Sequence, residues 1–144
     1  MNELRQLALK LLARREHSRA ELARKLAAHG DAGEIEALLD QLQQSGLLSD
    51  RRFAAGYVRR QGVRLGAGRM RQVLRSRGVD DETVAATLAD AALPDEIERA
   101  REVWRRKFGL PPQDLREWAR QARFLQQRGF AVELIRRLLK DPGP

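Results

Sequence analysis

The sequence predicts an all-α protein made of three tandem three-helix modules, and three observations predict it. Aromatic residues make up only 5% of the 144 residues, so the core has to come from Leu, Ala, Val and Ile, which suit helices better than a β-sandwich. Three segments also read alike, namely Glu21–Gly30, Arg69–Gly78 and Arg120–Gly129. Each has Leu four residues before its Gly (Leu26, Leu74, Leu125) and His or Arg just before it. Finally, a short helical pattern follows each Gly, with apolar pairs four apart at Ile35 and Leu39, Val84 and Leu88, and Ile135 and Leu139. Internal repetition at this period marks a chain of stacked supersecondary units.

In chain order, Leu4, Leu7, Ala8 and Leu11 form a one-face stripe that predicts a helix over 3–15. Ser18-Arg-Ala-Glu21 is a capping box: hydroxyl and carboxylate satisfy each other's orphan amides, which starts a second helix over 18–29. Ser18 corresponds to Gly66 one module later. Gly30 takes the left-handed conformation that ends a helix, with His29 at the negative end of the dipole. A third helix covers 33–45. Leu47 and Leu48 read as packing between modules. Ser49 and Asp50 cap a helix over 50–61, with Phe53, Ala54, Tyr57 and Val58 on its apolar face. Gly62, Gly66 and Gly68 read as a flexible turn before a helix over 67–77 that buries Met70, Val73 and Leu74. Another follows over 80–91. Pro94, Asp95 and Glu96 start a helix over 95–108, carrying Ile97, Ala100, Val103, Trp104 and Phe108, and Gly109–Pro112 ends it. The last two run over 113–128 and 131–140, with Asp141–Pro144 as the stop. Modules therefore fall at 1–48, 49–93 and 94–144. Such units bury limited cores and contact mainly their neighbours, so the expected shape is an elongated, curved helical-repeat protein.

Several function classes have no support. Cys is absent, which excludes disulfides and thiolate metal sites. No apolar run approaches the roughly 18 residues of a membrane span, and no signal-like segment opens the sequence, so a monomer in a reducing cytoplasm is expected. Gly66-Ala-Gly68 is followed by Arg69 and has no strand before it, so there is no phosphate-cradling loop. His17 and His29, the only histidines, lie twelve apart with no framing motif. The serines have no triad context, and first-turn acids such as Glu34 and Glu36, or Asp80, Asp81 and Glu82, complement helix dipoles. No catalytic residue, cofactor or metal ligand is expected. Phe53, Tyr57 and Trp104 read as core, and Trp118 as core or module interface.

Charge carries the positive signal. The formal net is +8, and all basic residues except Lys10, Lys25, Lys107 and Lys140 are Arg, the better residue for planar two-pronged contacts to phosphate or carboxylate. From Arg51 through Val79 there is no Asp or Glu. That stretch holds Arg51, Arg52, Arg59, Arg60, Arg64, Arg69, Arg71, Arg75 and Arg77, which places the net charge in the centre of the chain. A one-sign block of this size implies a polyanionic partner, nucleic acid or an acidic protein surface. Arg71 and Arg75, one turn apart and facing away from the buried stripe, repel unless a partner neutralises them.

The chain resembles the RecX family of bacterial recombinase regulators over nearly its whole length. The resemblance rests on Leu11–Leu22, on Asp50–Arg59 followed by Gly66, Arg69, Met70, Leu74 and Gly78, and on Phe124–Phe130. Two departures are visible. Val73 stands where the family often has an acid, and Gly30-Asp31-Ala32-Gly33 lacks the usual apolar residue after Gly, as a one-residue shortening would produce. The resemblance implies a partner, the RecA protein, chiefly as its filament on single-stranded DNA. It implies inhibition of RecA's ATPase, strand exchange and coprotease activities, and so a role in recombination, DNA repair and the SOS response. Some members bind DNA directly. The alternative reading is a helix-turn-helix-like DNA-binding regulator acting through the basic central module without RecA; against it, no module offers an evident recognition helix.

Overall fold

The computed structural model describes residues 2–140. Among these it contains helices and no strands: α1 (Asn2–Arg14), α2 (Arg19–Leu26), α3 (Ala32–Gln44), α4 (Asp50–Gln61), α5 (Ala67–Ser76), α6 (Asp81–Asp90), α7 (Glu96–Lys107), α8 (Leu115–Gln127) and α9 (Val132–Leu139). Each expected helix is present. The stop expected at Asp141–Pro144 lies outside the described residues. No helix among them is long and apolar enough to cross a membrane. The chain divides into two compact units. One comprises residues 1–56 and 74–89, the other residues 57–73 and 90–144, so α4 and α5 each contribute one end to either unit.

In the first unit, α1, α2 and α3 close over Leu4, Ala8, Leu22, Leu26, Ile35, Leu38, Leu39, Leu42 and Leu48. Each leucine taken fully from water is worth about 1.5–3 kcal/mol, so this cluster holds the module together. Leu48 is buried with it, but Leu47 is 46% exposed and faces solvent rather than a neighbouring module. The capping box forms as expected: Ser18 Oγ accepts from Glu21 N at 3.1 Å, and Glu21 accepts from Ser18 N at 3.3 Å. Asp50, expected to cap α4, instead accepts the first amide of α2, Arg19 N, at 2.7 Å. Ser49 alone caps α4, accepting from Arg52 N at 3.1 Å. Asp31 caps α3 and Asp80 caps α6 through the amides of Glu34 and Thr83. These bonds stabilise the ionised carboxylates and hold both below the usual aspartate range.

A contact with the end of α5 closes this unit. Ser18 Oγ donates to Arg77 O at 2.7 Å. Gly78, at φ 83°, packs so close to Ala20 that a Cβ there would overlap Ala20 Cβ. Amides of Gly78 and Val79 return to the carbonyls of Arg75 and Leu74, the hydrogen-bond pattern of a left-handed glycine stop. Gly30 differs from expectation, since it lies outside the positive-φ region. The shortened connection is the reason: α2 ends at Leu26 and Asp31 already caps α3, leaving no room for the reversal made at Gly78.

In the second unit the same contact recurs one module later. Gly66 N donates to Arg128 O at 2.7 Å, and Gly68 N to Gly129 O at 3.2 Å. Gly129, at φ 96°, lies against Arg69. Glu96 accepts Ala67 N at 3.0 Å, as Asp50 accepts Arg19 N. The first amides of α5, which have no partner inside the helix, are thereby satisfied. Gly66 and Gly68 are not a flexible turn: a Cβ on Gly66 would drive into the Gly129 carbonyl, and one on Gly62 would meet Leu93. Helices α7, α8 and α9 close over Ala100, Val103, Leu125, Phe130, Ile135 and Leu139, with Trp104 and Trp118 partly buried against them. Inside this core the Gln121 carboxamide accepts from Trp104 Nε1 at 2.8 Å and donates to Leu110 O at 3.0 Å.

His17, 1% exposed, has a defined protonation state. Nδ1 lies 3.0 Å from Arg15 O and Nε2 lies 3.1 Å from Lys25 Nζ. A carbonyl only accepts and an ammonium only donates, so the ring is the neutral tautomer with its proton on Nδ1. Burial, with help from the charges of Arg15 and Lys25, holds its pKa below 6.5 against the opposing pull of the Arg15 carbonyl and Glu21.

Two predictions follow from these contacts. Gly129→Ala adds the strain of a left-handed alanine, about 1–2 kcal/mol, to overpacking worth about 1–3 kcal/mol. Gly46→Ala, at φ 83° with open space around it, should carry only the first cost; equal losses of urea stability in the two variants would refute the packing argument. The unfolded chain protonates His17 near 6.5 while the folded chain resists it, so the unfolded state binds more protons in that window and stability falls as pH drops below 6.5. His17→Gln should flatten the urea midpoint between pH 7 and 5.5 relative to the native chain.

Candidate functional site

The arginine block occupies both ends of α4, the connection after it, α5 and the residue that follows it. Helix α5 exists because Met70 and Leu74 are fully buried on one face, which turns Arg69, Arg71 and Arg75 to solvent. The structure sorts these arginines by what neutralises them, and the sorting differs between the two units.

In the first unit, distant acids reach the block. Arg52 pairs with Glu16 at 2.6 Å, Arg75 with Asp81 at 2.6 Å and Arg77 with Glu21 at 3.3 Å. Arg75 is thus neutralised, and its hydrogen bond with Asp81 raises its already high pKa. Asp81 opens the helix that follows Gly78 and comes back to α5 through the turn. Arg77 and Arg15 share Glu21, whose side chain is 11% exposed. Burial pushes the Glu21 pKa up, but the hydrogen bond and charge of Arg15 and the bond from Ser18 outweigh it and hold the carboxylate below its usual range. Arg51 is exposed on α4.

In the second unit Arg59, Arg60 and Arg71 make no ion pair among the described residues. Arg64 donates to Gln61 Oε1 and Arg69 to Gln72 Oε1, both at 3.0 Å, and both stay exposed. Arg59, Arg60 and Arg71 are exposed with no side-chain partner among the described residues. These cations can take an external anion without first breaking an internal pair.

A second basic surface was not anticipated from the sequence. On α8, Arg116, Arg120 and Arg123 recur at i, i+4 and i+7 on the face opposite buried Gln121 and Leu125. Beside them Phe108 and Phe124 pack edge to face, centroids 5.4 Å apart. Lys107 and Arg128 lie over the Phe124 ring at 5.5 and 4.9 Å, and Arg120 lies over Phe108 at 5.0 Å, each a favourable cation–quadrupole contact. Glu117 pairs with Arg120 at 2.6 Å; that hydrogen bond, the main cause, holds the carboxylate below its usual range. The arginine spacing was the available signal. Acids on α7 (Glu96, Glu98, Glu102) masked it in a running charge count, as Asp50, Asp80, Asp81 and Glu82 dilute the central module. Counted by module, the net charge is shared between the second and third rather than confined to the centre.

Elsewhere, Arg99 is 8% exposed and its Nε has no hydrogen-bond partner; burial lowers its pKa. Among the described residues no group of three or more His, Asp or Glu is placed to hold a metal ion.

A chain of tandem three-helix modules belongs to the class of helical-repeat proteins. Three family models match in tandem: RecX, first three-helix domain, matches residues 5–42; the second matches 49–88; the third matches 94–139. The chain belongs to the RecX family. It is 55% identical over 134 residues to the Regulatory protein RecX of Leptothrix cholodnii, covering 92% of this chain and 85% of that one. To its counterpart in Chromobacterium violaceum it is 44% identical over 137 residues, covering 94% and 88%. The fold matches a crystal structure of RecX from Lactobacillus salivarius with TM-score 0.79 at 18% identity, covering 98% and 95% of the two chains.

The pairing pattern predicts separable effects on stability. Arg77→Ala removes a bond to nearly buried Glu21 and should cost about 0.5–1.5 kcal/mol, discounted for the exposure of Arg77 itself. Arg59→Ala breaks nothing and should stay within about 0.5 kcal/mol of the native chain. Equal urea midpoints for the two variants would count against the assigned Glu21 bridge.

Proposed function

We propose that this chain binds the RecA protein, chiefly as its filament on single-stranded DNA, and inhibits the filament's ATPase, strand-exchange and coprotease activities. Recombination, DNA repair and the SOS response are the processes this would modulate. Membership of the RecX family, whose members carry the name regulatory protein, supports a regulatory role, and the resemblance stated above points to RecA as the partner. The observation that carries the docking assignment is the acid-free set Arg59, Arg60, Arg64, Arg69 and Arg71 on the second unit, three of them without any side-chain partner among the described residues. Of the arginines in the block, Arg52, Arg75 and Arg77 are the least available, because a partner must displace Glu16, Asp81 or Glu21 first. Arg51 completes the block. The modules at 1–48, 49–93 and 94–144 are the units through which contacts with successive parts of a filament would be distributed.

The test is charge reversal where nothing in the fold is disturbed. Arg59→Glu, Arg60→Glu and Arg71→Glu together should leave helicity unchanged. A charge-assisted contact buried in a complex is worth about 1.5–3 kcal/mol, so binding to the RecA filament should weaken at least tenfold and inhibition of its DNA-dependent ATPase should fall in parallel. Reversal of Glu34 and Glu36 to Arg is the control. Unchanged inhibition by the triple variant would refute the docking assignment. Loss of binding to bare single-stranded DNA with no change on the filament would favour the reading as a DNA-binding regulator.

A further inference from the structure

Independently of the RecA-docking reading, we infer that the first module carries a receiving groove for a second copy of this chain, filled by the exposed Leu110 and Leu115 of that copy's third module. The groove, about 460 Å³, is lined by Leu9, Leu12, Ala13, Gly46 and Leu47, with the charged Arg15, Glu16 and Arg52 completing it. Helix α1 thus has two apolar stripes: Leu4 and Ala8 are buried in the core, while Leu9 and Leu12 pack against it only in part. The second module shows what closes such a groove. Leu47 stands three residues before Asp50 and Leu93 three before Glu96, and those two acids play the same part at the two joints. Leu93 lies over Gly62, where a Cβ would meet its side chain at 2.5 Å. Gly62 is four residues before Gly66, and the residue four before Ser18 is Arg14. A side chain there denies Leu47 the same seat, and Leu47 is left 46% exposed. The first module therefore keeps open an apolar surface that the second covers from within.

The complementary knob is on the same chain. Besides Leu47, the large hydrophobic side chains left exposed among the described residues are Val63, Leu110 and Leu115. Leu110 and Leu115 are 73% and 72% exposed and bracket the connection from α7 to α8. Pro111 and Pro112 fix φ in that connection, so presenting the two leucines costs little ordering entropy on docking. Asp114, exposed beside Leu115, caps α8 and makes no ion pair. In the contact it faces the half-exposed Arg15 and Arg52, so charge as well as apolar surface is complementary. Groove and knob are unlike surfaces; each copy offers one of each, and copies join head to tail. So small a contact is weak between free molecules. It gains by effective concentration wherever copies are held in series on a repeating partner.

The experiment exploits the absence of Cys from the chain, which makes any introduced thiol unique. Ala13→Cys places one in the groove and Gln113→Cys one on the knob; both positions are exposed, and neither change removes a leucine. The two full-length variants, one isotopically labelled, are mixed without RecA or DNA and treated with a short bis-maleimide, and the cross-linked pairs are sorted by mass. The groove–knob pair should form severalfold more than either like pair. It should also exceed severalfold the pair of Gln113→Cys with Val63→Cys, an exposed position outside the groove. High salt should leave most of the excess in place, since screening weakens charge contacts and not apolar burial. Adding Leu110→Ser and Leu115→Ser to the knob variant, with helicity checked by circular dichroism, should return the yield to the Val63→Cys level. Leu47→Ser in the groove variant should lower it as well. No excess with the native leucines overturns the proposal, as does an excess that survives their replacement or collapses in salt. So does a dominant Ala13→Cys like pair, which would mean groove meeting groove. Because RecA is absent from the mixture, failure here is distinct from failure of the central docking surface.

Discussion

One contact, made twice, organises the molecule: the start of the second helix in one module seats against the glycine stop that ends the second helix in the next. In the first unit Ser18 and Ala20 meet Arg77 and Gly78; in the second, Gly66, Gly68 and Arg69 meet Arg128 and Gly129. A carboxylate from the next module's first helix completes each joint, Asp50 on Arg19 N and Glu96 on Ala67 N. The joint answers two needs at once. It satisfies amides that a helix start leaves without partners, and it brings two backbones closer than any side chain permits. It also explains why α5 contributes one end to each compact unit, because each end takes part in a different copy of the joint.

Ser18 and Gly66 solve the same problem with different chemistry. Ser18 supplies its own hydroxyl, which both caps α2 and donates to the Arg77 carbonyl. Gly66 has no side chain, and its amide donates directly to the Arg128 carbonyl. The missing Cβ lets the two chains approach closely enough for that bond. What reads in one module as a capping residue and in the next as a loosening of the chain is the same structural position.

The distribution of charge follows from these joints. Glu21 sits in the capping box and is positioned to receive Arg77 from the end of α5, while the turn at Gly78 returns Asp81 to Arg75. Beside the first joint Arg75 and Arg77 are thus internally neutralised, whereas Arg59, Arg60 and Arg71 are left facing water. On the third module the aromatic pair Phe108 and Phe124 holds Lys107 and Arg128 over the Phe124 ring without cancelling their charge, while Arg120 both lies over Phe108 and pairs with Glu117.

The amino-acid sequence by itself determined the helices, their order and their repetition, because the responsible forces are local: the capping box at Ser18 and Glu21, the left-handed stops at Gly78 and Gly129, and the apolar stripes at helical spacing act within a few residues. It also determined that the chain is basic and that Arg71 faces outward, since Met70 and Leu74 set the buried face. Tertiary structure alone decided the rest. Pairings such as Arg77 with Glu21 or Arg52 with Glu16 join residues dozens of positions apart, and no periodicity carries that information. Gly30 escaped the left-handed state because one missing residue let Asp31 start the next helix at once. Gly66 turned from a hinge into a seat because what lies against it, the Gly129 carbonyl, arrives from another module, and steric exclusion between distant backbones is invisible until the chain has folded.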